Sequence, residues 1–161
     1  MAGSNKLTPE QAAAREYLMR ARRLEMRIRQ MENLMRRVLV HEVSGVAQVD
    51  PAAVRASGVH RPGEQFALLS AEIDEAMAEL DGTRAETLAV IHQVHDHVLA
   101  ALLLAYYLNG LSWAEAARDM RYNGGYLRGE LHRRALDAAW AAMREIGADE
   151  KLLPPESPDT T

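Results

Sequence analysis

A heptad pattern of apolar residues near the start of the chain constrains its fold more than any other feature. Apolar side chains recur at alternating spacings of three and four, at Ala14, Tyr17, Ala21, Leu24, Ile28, Met31, Met35 and Val38. This spacing places them in one stripe along a single helix, as in a coiled coil. Thr8, Pro9 and Gln11 match a capping box at the helix start. The pattern predicts a helix over residues 9–41 whose stripe needs a partner.

A second heptad run predicts that partner. Its apolar positions are Phe66, Leu69, Ile73, Met77 and Leu80. Residues 1–42 carry a net charge of +4 and residues 43–109 carry −6, so the two helices have complementary flanks. Such charges favour antiparallel pairing of the two helices. We therefore predict a long antiparallel, coiled-coil-like helical hairpin over residues 8–81, with a loop at 42–63 where glycine and proline interrupt the pattern.

The composition limits the class of protein. Only 5% of the residues are aromatic although 48% are apolar, so leucine, alanine, methionine and valine must fill an all-α interior. The absence of cysteine excludes disulfides and thiolate metal sites. The first residues lack the apolar core of a signal peptide, and the longest nearly uncharged run is too short to span a membrane. We expect a cytoplasmic protein without a membrane partner.

Residues 83–146 are predicted to form a second, smaller helical domain. Asp81 and Gly82 interrupt the pattern and Thr83 with Glu86 matches a capping box, but we expect a kink at Gly82 more than a true break of the helix. Asp96 is the predicted N-cap of a helix that is apolar nearly all round and ends at Gly110. This helix should be the buried centre of the domain. The proline-rich, acidic residues 147–161 are predicted to be a disordered tail.

Two short helices joined by a tight turn are predicted within residues 111–136. Ser112 forms a capping box for the first helix, and the small side chain of Ala117 allows a close crossing between the helices. Tyr122 is the predicted apolar plug of the turn, and Asn123 can cap the second helix. A projection at 100° per residue places Leu127 and Leu131 on the inner side of that helix. The pattern predicts a helix-turn-helix.

The outer side of the second helix suits the major groove of DNA. Arginine contacts guanine through two hydrogen bonds, asparagine contacts adenine in the same way, and glycine permits close backbone approach. Residues 110–144 also carry a local net charge of +2. We assign Arg118 and Arg121 to phosphate contacts. The complete set of predicted DNA-binding residues is Arg118, Arg121, Asn123, Gly125, Tyr126, Arg128, His132 and Arg133.

The stretch AALLLAYYLNGLSWAEAARDM, together with LHRRAL, resembles the region-4-like helix-turn-helix of sigma-70-type factors. It is most similar to small phage and prophage regulators of Gram-positive bacteria that place this module behind an N-terminal coiled coil. The resemblance covers about residues 94–140 and rests on Tyr107, Gly110, Ser112, Trp113, Leu131, His132, Ala135 and Leu136. It implies a phage-encoded, sequence-specific regulator of transcription that binds double-stranded DNA. It also makes RNA polymerase a candidate partner.

Two departures from the regulators' pattern concern the helix-turn-helix. Tyr106 stands where those proteins usually carry arginine, and the segment 123–126 makes the turn one residue longer.

Two other functions stay open. A small terminase-like DNA-packaging subunit also joins a DNA-binding motif to helical oligomerisation elements, and a protein-binding helical adaptor would use the motif only as structure.

Dimerisation has two candidate surfaces in the sequence. One is the helical hairpin. The other is an apolar stripe of Leu136, Trp140 and Met143, which is rotated away from the Leu127 side of the last helix. Packing of this stripe within the chain is the alternative to a homodimer contact.

An enzyme is not expected. His92, His95 and His97 are close in sequence, but their spacing does not direct three imidazoles to one metal ion. The chain also lacks a recognisable nucleophile elbow or phosphate-binding loop. We therefore predict neither catalytic residues, nor a metal site, nor a cofactor.

Overall fold

The computed structural model describes residues 6–44 and 62–150, and every regular element in these two ranges is helical, which confirms the all-α prediction. The elements are α1 (Pro9–Ser44), α2 (Pro62–His92), α3 (His97–Leu103), the π-helical turn π1 (Leu104–Leu108), α4 (Trp113–Met120), α5 (Gly124–Tyr126), the π-helical turn π2 (Leu127–Leu131) and α6 (His132–Glu145). The last three follow one another without interruption. Residues 124–145 are called the C-terminal helix below.

The helix boundaries show where local sequence decides structure. The predicted capping box at the start of α1 is present: Thr8 Oγ1 accepts a hydrogen bond from the Gln11 N–H at 3.1 Å, and Gln11 Oε1 accepts one from the Thr8 N–H at 3.0 Å. The Asp96 carboxylate caps α3 in the predicted way. The predicted bounds of the loop are wrong at both ends, because α1 extends to Ser44 and α2 begins at Pro62.

The helix has no break at Gly82, as expected, because α2 continues through this glycine to His92, and Thr83 does not begin a new helix. Thr83 is buried, and its carbonyl accepts a hydrogen bond from the Thr87 hydroxyl at 2.9 Å, one helical turn later. The glycine costs the helix some stability but does not end it. The core of the predicted loop, residues 45–61, and most of the predicted disordered tail, residues 151–161, lie outside the described residues.

Tertiary contacts divide the chain into two compact units. The first unit contains residues 1–22 and 83–161, and the second contains residues 23–82. The boundaries therefore lie within α1 and α2. The sequence pattern did not show that the start of α1 would belong with the C-terminal elements.

The second unit is formed by parts of α1 and α2. Its core cluster consists of Ile28, Met31, Ile73 and Ala76, and the partly buried Met35 and Leu80 pack against it. The inward position predicted for Met77 is wrong, because this side chain is 49% exposed. Ala76 takes the buried position instead, so the spacing along α2 is 73, 76 and 80.

The first unit has a larger core. Its completely buried side chains include Leu18 of α1 and Val90 of α2, together with Leu102, Leu103, Tyr107, Leu127, Leu136 and Met143. Leu136, Trp140 and Met143 are thus buried within one chain, which decides between the two alternatives for this stripe. These three residues do not offer a dimer surface. No helix in the ranges 6–44 and 62–150 is both long and apolar enough to cross a membrane.

Candidate nucleic-acid interface

The first helix of the candidate site, α4, begins at the predicted cap. Ser112 has an extended backbone, and its Oγ accepts a hydrogen bond from the Glu115 N–H at 3.1 Å. Ala116 and Ala117 are buried, and α4 packs against α5 and π2. Small side chains at these two positions allow the close crossing that the sequence predicted.

The turn after α4 depends on a residue in a strained backbone conformation. Arg121 has φ 60° and ψ 42°, in the left-handed region that glycine adopts easily. Its N–H donates to the Arg118 carbonyl at 3.3 Å, and the Tyr122 N–H donates to the Ala117 carbonyl at 3.0 Å. This is the hydrogen-bond pattern of a Schellman motif. Arg121 is therefore the residue that ends α4, and its side chain is exposed at that end of the helix.

Asn123 caps the C-terminal helix as predicted. Its Oδ1 accepts hydrogen bonds from the N–H groups of Gly125, at 2.9 Å, and Tyr126, at 3.3 Å. A bidentate contact to adenine needs the same oxygen, so such a contact would require the cap to open. The capping role is the one that the structure gives to this side chain.

Tyr122 is not the apolar plug that the sequence predicted. It is 38% exposed, as is Tyr126, and the two ring centroids lie 6.1 Å apart. The two tyrosines therefore form a small aromatic surface beside the turn. An exposed tyrosine pair of this kind offers flat apolar area and two hydroxyl groups to a partner.

A cleft runs beside the C-terminal helix, and we call it the basic cleft. It has a volume of about 310 Å³ and is lined by Leu7, Gly125, Arg128, Gly129, His132 and Arg133. Arg128 is exposed, and Arg133 is half-buried. A Cβ atom added at Gly129 would have no atom within 4 Å, so the surface at this glycine is open. The cleft brings together four of the predicted DNA-binding residues: Gly125, Arg128, His132 and Arg133.

The predicted exposure of His132 is wrong. This side chain is 7% exposed, its Nε2 lies 2.6 Å from the Tyr107 hydroxyl, and its ring meets the Trp113 ring edge-on at 4.6 Å. The reason is the turn π2, because a π-helical turn contains one more residue than an α-helical turn and rotates the following residues by about 100°. The regular projection did not include this rotation.

Burial also fixes the charge of His132. Desolvation, together with the nearby positive charges of Arg15 and Arg133, lowers the pKa of His132 to about 4. The imidazole is therefore neutral at pH 7. Burial raises the pKa of its partner Tyr107 far above the usual value for tyrosine. His132 is a neutral core residue behind the basic cleft, and we remove it from the set of proposed DNA contacts.

An arginine from α1 holds the start of α4 in place. The guanidinium of Arg22 lies 4.2 Å from the centroid of the Tyr106 ring. Its Nη1 donates to the carbonyls of Tyr106, at 2.7 Å, and Leu111, at 3.2 Å. The Tyr106 ring in turn stacks on Trp113 at 3.9 Å. Arg22 thus satisfies one carbonyl of π1 and one just before α4. In the sequence it is one of several arginines of α1, and nothing there indicates this role.

Two further contacts join distant parts of the first unit. Arg84 Nη1 donates to the Leu108 carbonyl at 3.0 Å, and Gln11 Nε2 donates to the Asp137 carboxylate at 3.0 Å. The first contact again satisfies a carbonyl at the end of π1. The second fixes the start of α1 against the C-terminal helix. The elements of the candidate site are therefore held by hydrogen bonds from both α1 and α2.

The histidines considered as metal ligands, His92, His95 and His97, are all exposed. Within the part of the chain that the structure describes, no three histidine, cysteine or acidic side chains are placed to hold a metal ion together.

Comparison of the chain with protein-family models, with curated proteins and with solved structures gives no match. The candidate function therefore depends on the geometry of the site itself.

Proposed function

We propose that residues 112–145 form a helix-turn-helix that binds double-stranded DNA, and that the protein regulates transcription by binding a specific DNA sequence. The observation that carries this proposal is the basic cleft, in which an open glycine surface lies beside Arg128 and Arg133. Arginine side chains next to a close-approach surface fit the edges of bases and the phosphates beside them. Sigma-70 region-4-like phage regulators, which this segment resembles, use such a motif in the same way.

The joint between the two helices supports the proposal. A Schellman motif ends α4, and the side chain of Asn123 caps the C-terminal helix two residues later, so the hydrogen bonds of these two caps fix the angle between the helices. Arg118 and Arg121 are exposed at this joint. A fixed joint keeps both helices in the orientation that binding in a groove requires. We assign phosphate contacts to these two arginines.

We infer that α1 and α2 pair as an antiparallel hairpin in the second unit. Ile28 and Met31 pack with Ile73 and Ala76, whereas a groove further along α1 is lined by Leu34, Val38, Gln65, Leu68 and Leu69. Later residues of α1 therefore meet earlier residues of α2, as antiparallel pairing requires. We propose this hairpin as the element for dimerisation or for contact with RNA polymerase.

The proposal is tested by selecting genomic DNA fragments with the purified full-length protein and measuring affinity for the selected site. Arg133→Ala should weaken binding to that site by about 1–3 kcal/mol and reduce its preference over random DNA. Arg134→Ala is the matched control, because Arg134 is exposed on the same helix but does not line the cleft. Thermal unfolding should be similar for both variants.

Three results would contradict the proposal. Equal affinity of Arg133→Ala and wild-type protein for the selected site would mean that the cleft does not contact bases. Binding to random DNA without a steep salt dependence would favour a protein-binding adaptor, because phosphate contacts release counterions. A ring of roughly eight or more subunits by light scattering would favour a DNA-packaging subunit, because regulators with this motif bind as monomers or dimers.

A further inference from the structure

The start of α1 lies at the edge of the basic cleft. Leu7 lines the cleft together with Gly125 and Gly129, although more than a hundred residues of sequence separate them. The capping box between Thr8 and Gln11 orders the backbone directly after Leu7. The chain entering α1 is therefore a wall of the same cleft that the C-terminal helix forms.

The hydrogen bond between Gln11 and Asp137 fixes which side of α1 faces the C-terminal helix. Arg15 follows Gln11 by four residues, so the two side chains lie on the same side of α1, one turn apart. Arg15 is exposed, and its charge acts on His132, which lines the cleft. Its guanidinium is thus both near the cleft and accessible to solvent.

The charges around this edge are predominantly positive. Lys6 is exposed directly before Leu7, and Arg15 adds a second cation on the α1 side. The neighbouring acidic residues Glu10 and Glu16 project about 100° or more away from the Gln11 and Arg15 side of the helix, and the Asp137 carboxylate on that side accepts the hydrogen bond from Gln11. Together with Arg128 and Arg133 on the opposite wall, this arrangement places positive charge on both sides of the cleft.

We propose that the start of α1 is a second DNA-contacting element, in which Lys6 and Arg15 bind backbone phosphates beside the groove that the C-terminal helix enters. This inference rests on the proposed DNA-binding function. In protein–DNA complexes, base contacts provide specificity, while phosphate contacts from neighbouring elements set register and much of the affinity. The element would give an acidic protein a local attraction for phosphate where DNA must bind.

The experiment compares Arg15→Gln with wild-type protein in DNA-binding titrations over a range of salt concentrations. We expect the Kd to rise by roughly three- to tenfold on the selected site and by the same factor on random DNA. The slope of log K against log salt concentration should decrease in magnitude by about one. Adding Lys6→Gln should reduce the magnitude of this slope further.

The matched control is Arg29→Gln. Arg29 is also an exposed arginine of α1, but it belongs to the second unit and does not line the cleft, so the variant removes the same charge from the other unit. It should bind DNA like wild-type protein. Both variants should unfold at the wild-type temperature, because both side chains are exposed.

The outcomes separate the two proposals. If wild-type protein binds DNA with a steep salt dependence but Arg15→Gln matches Arg29→Gln, this inference is wrong and the proposed function stands. If Arg15→Gln weakens only the selected site, Arg15 contacts bases, and the phosphate role is wrong. If wild-type protein binds no DNA, both proposals are wrong.

Discussion

The core of the first unit contains completely buried side chains from several helices, whereas the described core of the second unit is a small cluster of residues from two helices. Leu18, Leu102, Leu127 and Met143 of the first unit are fully buried. In the second unit, the core side chains Ile28, Met31, Ile73 and Ala76 each keep 4–8% of their surface exposed. Two paired helices cover only one stripe on each other, whereas elements that cross from several directions enclose a core.

A regular heptad pattern therefore specifies the pairing of two helices more strongly than the burial of each side chain. The candidate site lies in the better-enclosed unit, where contacts from α1, α3, α4 and the C-terminal helix hold its residues. A binding site needs such support to keep its side chains in a fixed arrangement. Three predictions test this contrast between the two units.

The largest effect should come from replacing a leucine of α1 by alanine, which we compare at one position in each unit. Leu18→Ala removes a fully buried side chain in the first unit, and Leu34→Ala removes one that is 47% exposed in the second. We expect the free energy of unfolding to fall by about 3–5 kcal/mol for the first variant and by less than about 1 kcal/mol for the second.

Chemical denaturation measures both losses. Circular dichroism follows the helices of both units, whereas tryptophan fluorescence follows only the first, because Trp113 and Trp140 both belong to it. Similar losses for the two variants would show that the units are equally well packed, and the comparison would fail.

The next effect is a pH dependence carried by His132 in the first unit. Its pKa falls from the ordinary 6.5 to about 4 in the folded protein, so the unfolded chain binds the proton first as the pH decreases. Stability should therefore be lost between pH 6.5 and 4, by up to about 3 kcal/mol.

His132→Gln keeps a hydrogen-bonding group near Tyr107 but does not titrate. The free energy of unfolding of this variant should fall less between pH 7 and 4.5 than that of the wild-type protein. Parallel curves for the two proteins, measured by urea denaturation with tryptophan fluorescence, would show that the imidazole does not stay neutral in the core.

The smallest effect concerns the joint of the candidate site. Arg121→Gly should stabilise the protein by about 1 kcal/mol, because glycine adopts the left-handed conformation without steric cost. The same change should weaken DNA binding, since it removes a proposed phosphate contact. Thermal unfolding and DNA titration of one variant would then change in opposite directions.

Gly147→Ala provides the reverse control. Gly147 has φ +74° and no neighbour within 4 Å of an added Cβ, so alanine there should cost about 1 kcal/mol through backbone strain alone. A loss of stability in Arg121→Gly would mean that the arginine side chain stabilises the turn by more than its backbone conformation costs.

Local sequence predicted most of the helix boundaries. The caps at Thr8, Asp96, Ser112 and Asn123 all form as expected. Each cap is a hydrogen bond between residues two or three positions apart, so its partners are visible in a short window of sequence. The same holds for the seam of α1, where Ala14, Tyr17, Ala21, Ile28 and Met31 are buried.

The candidate site was predicted only in part. Gly125, Arg128 and Arg133 lie together at the basic cleft, whereas His132 faces the core. The error has one cause, since a regular helical projection cannot anticipate a π-helical turn. The tertiary contacts of Arg22 and Gln11 were not predicted, because their partners lie 84 to 126 residues away along the chain.

The helical class of this chain, the start of most of its helices and the apolar side of α1 could all be predicted from the order of residues, because these properties depend on neighbours within one or two turns. Three features needed the folded chain: the start of α1 belongs to the unit of the C-terminal helix, His132 is buried and neutral, and arginines of α1 and α2 satisfy carbonyls at the end of π1. Those outcomes depend on contacts between distant segments, and the free energy of such contacts is set by the packed core as a whole.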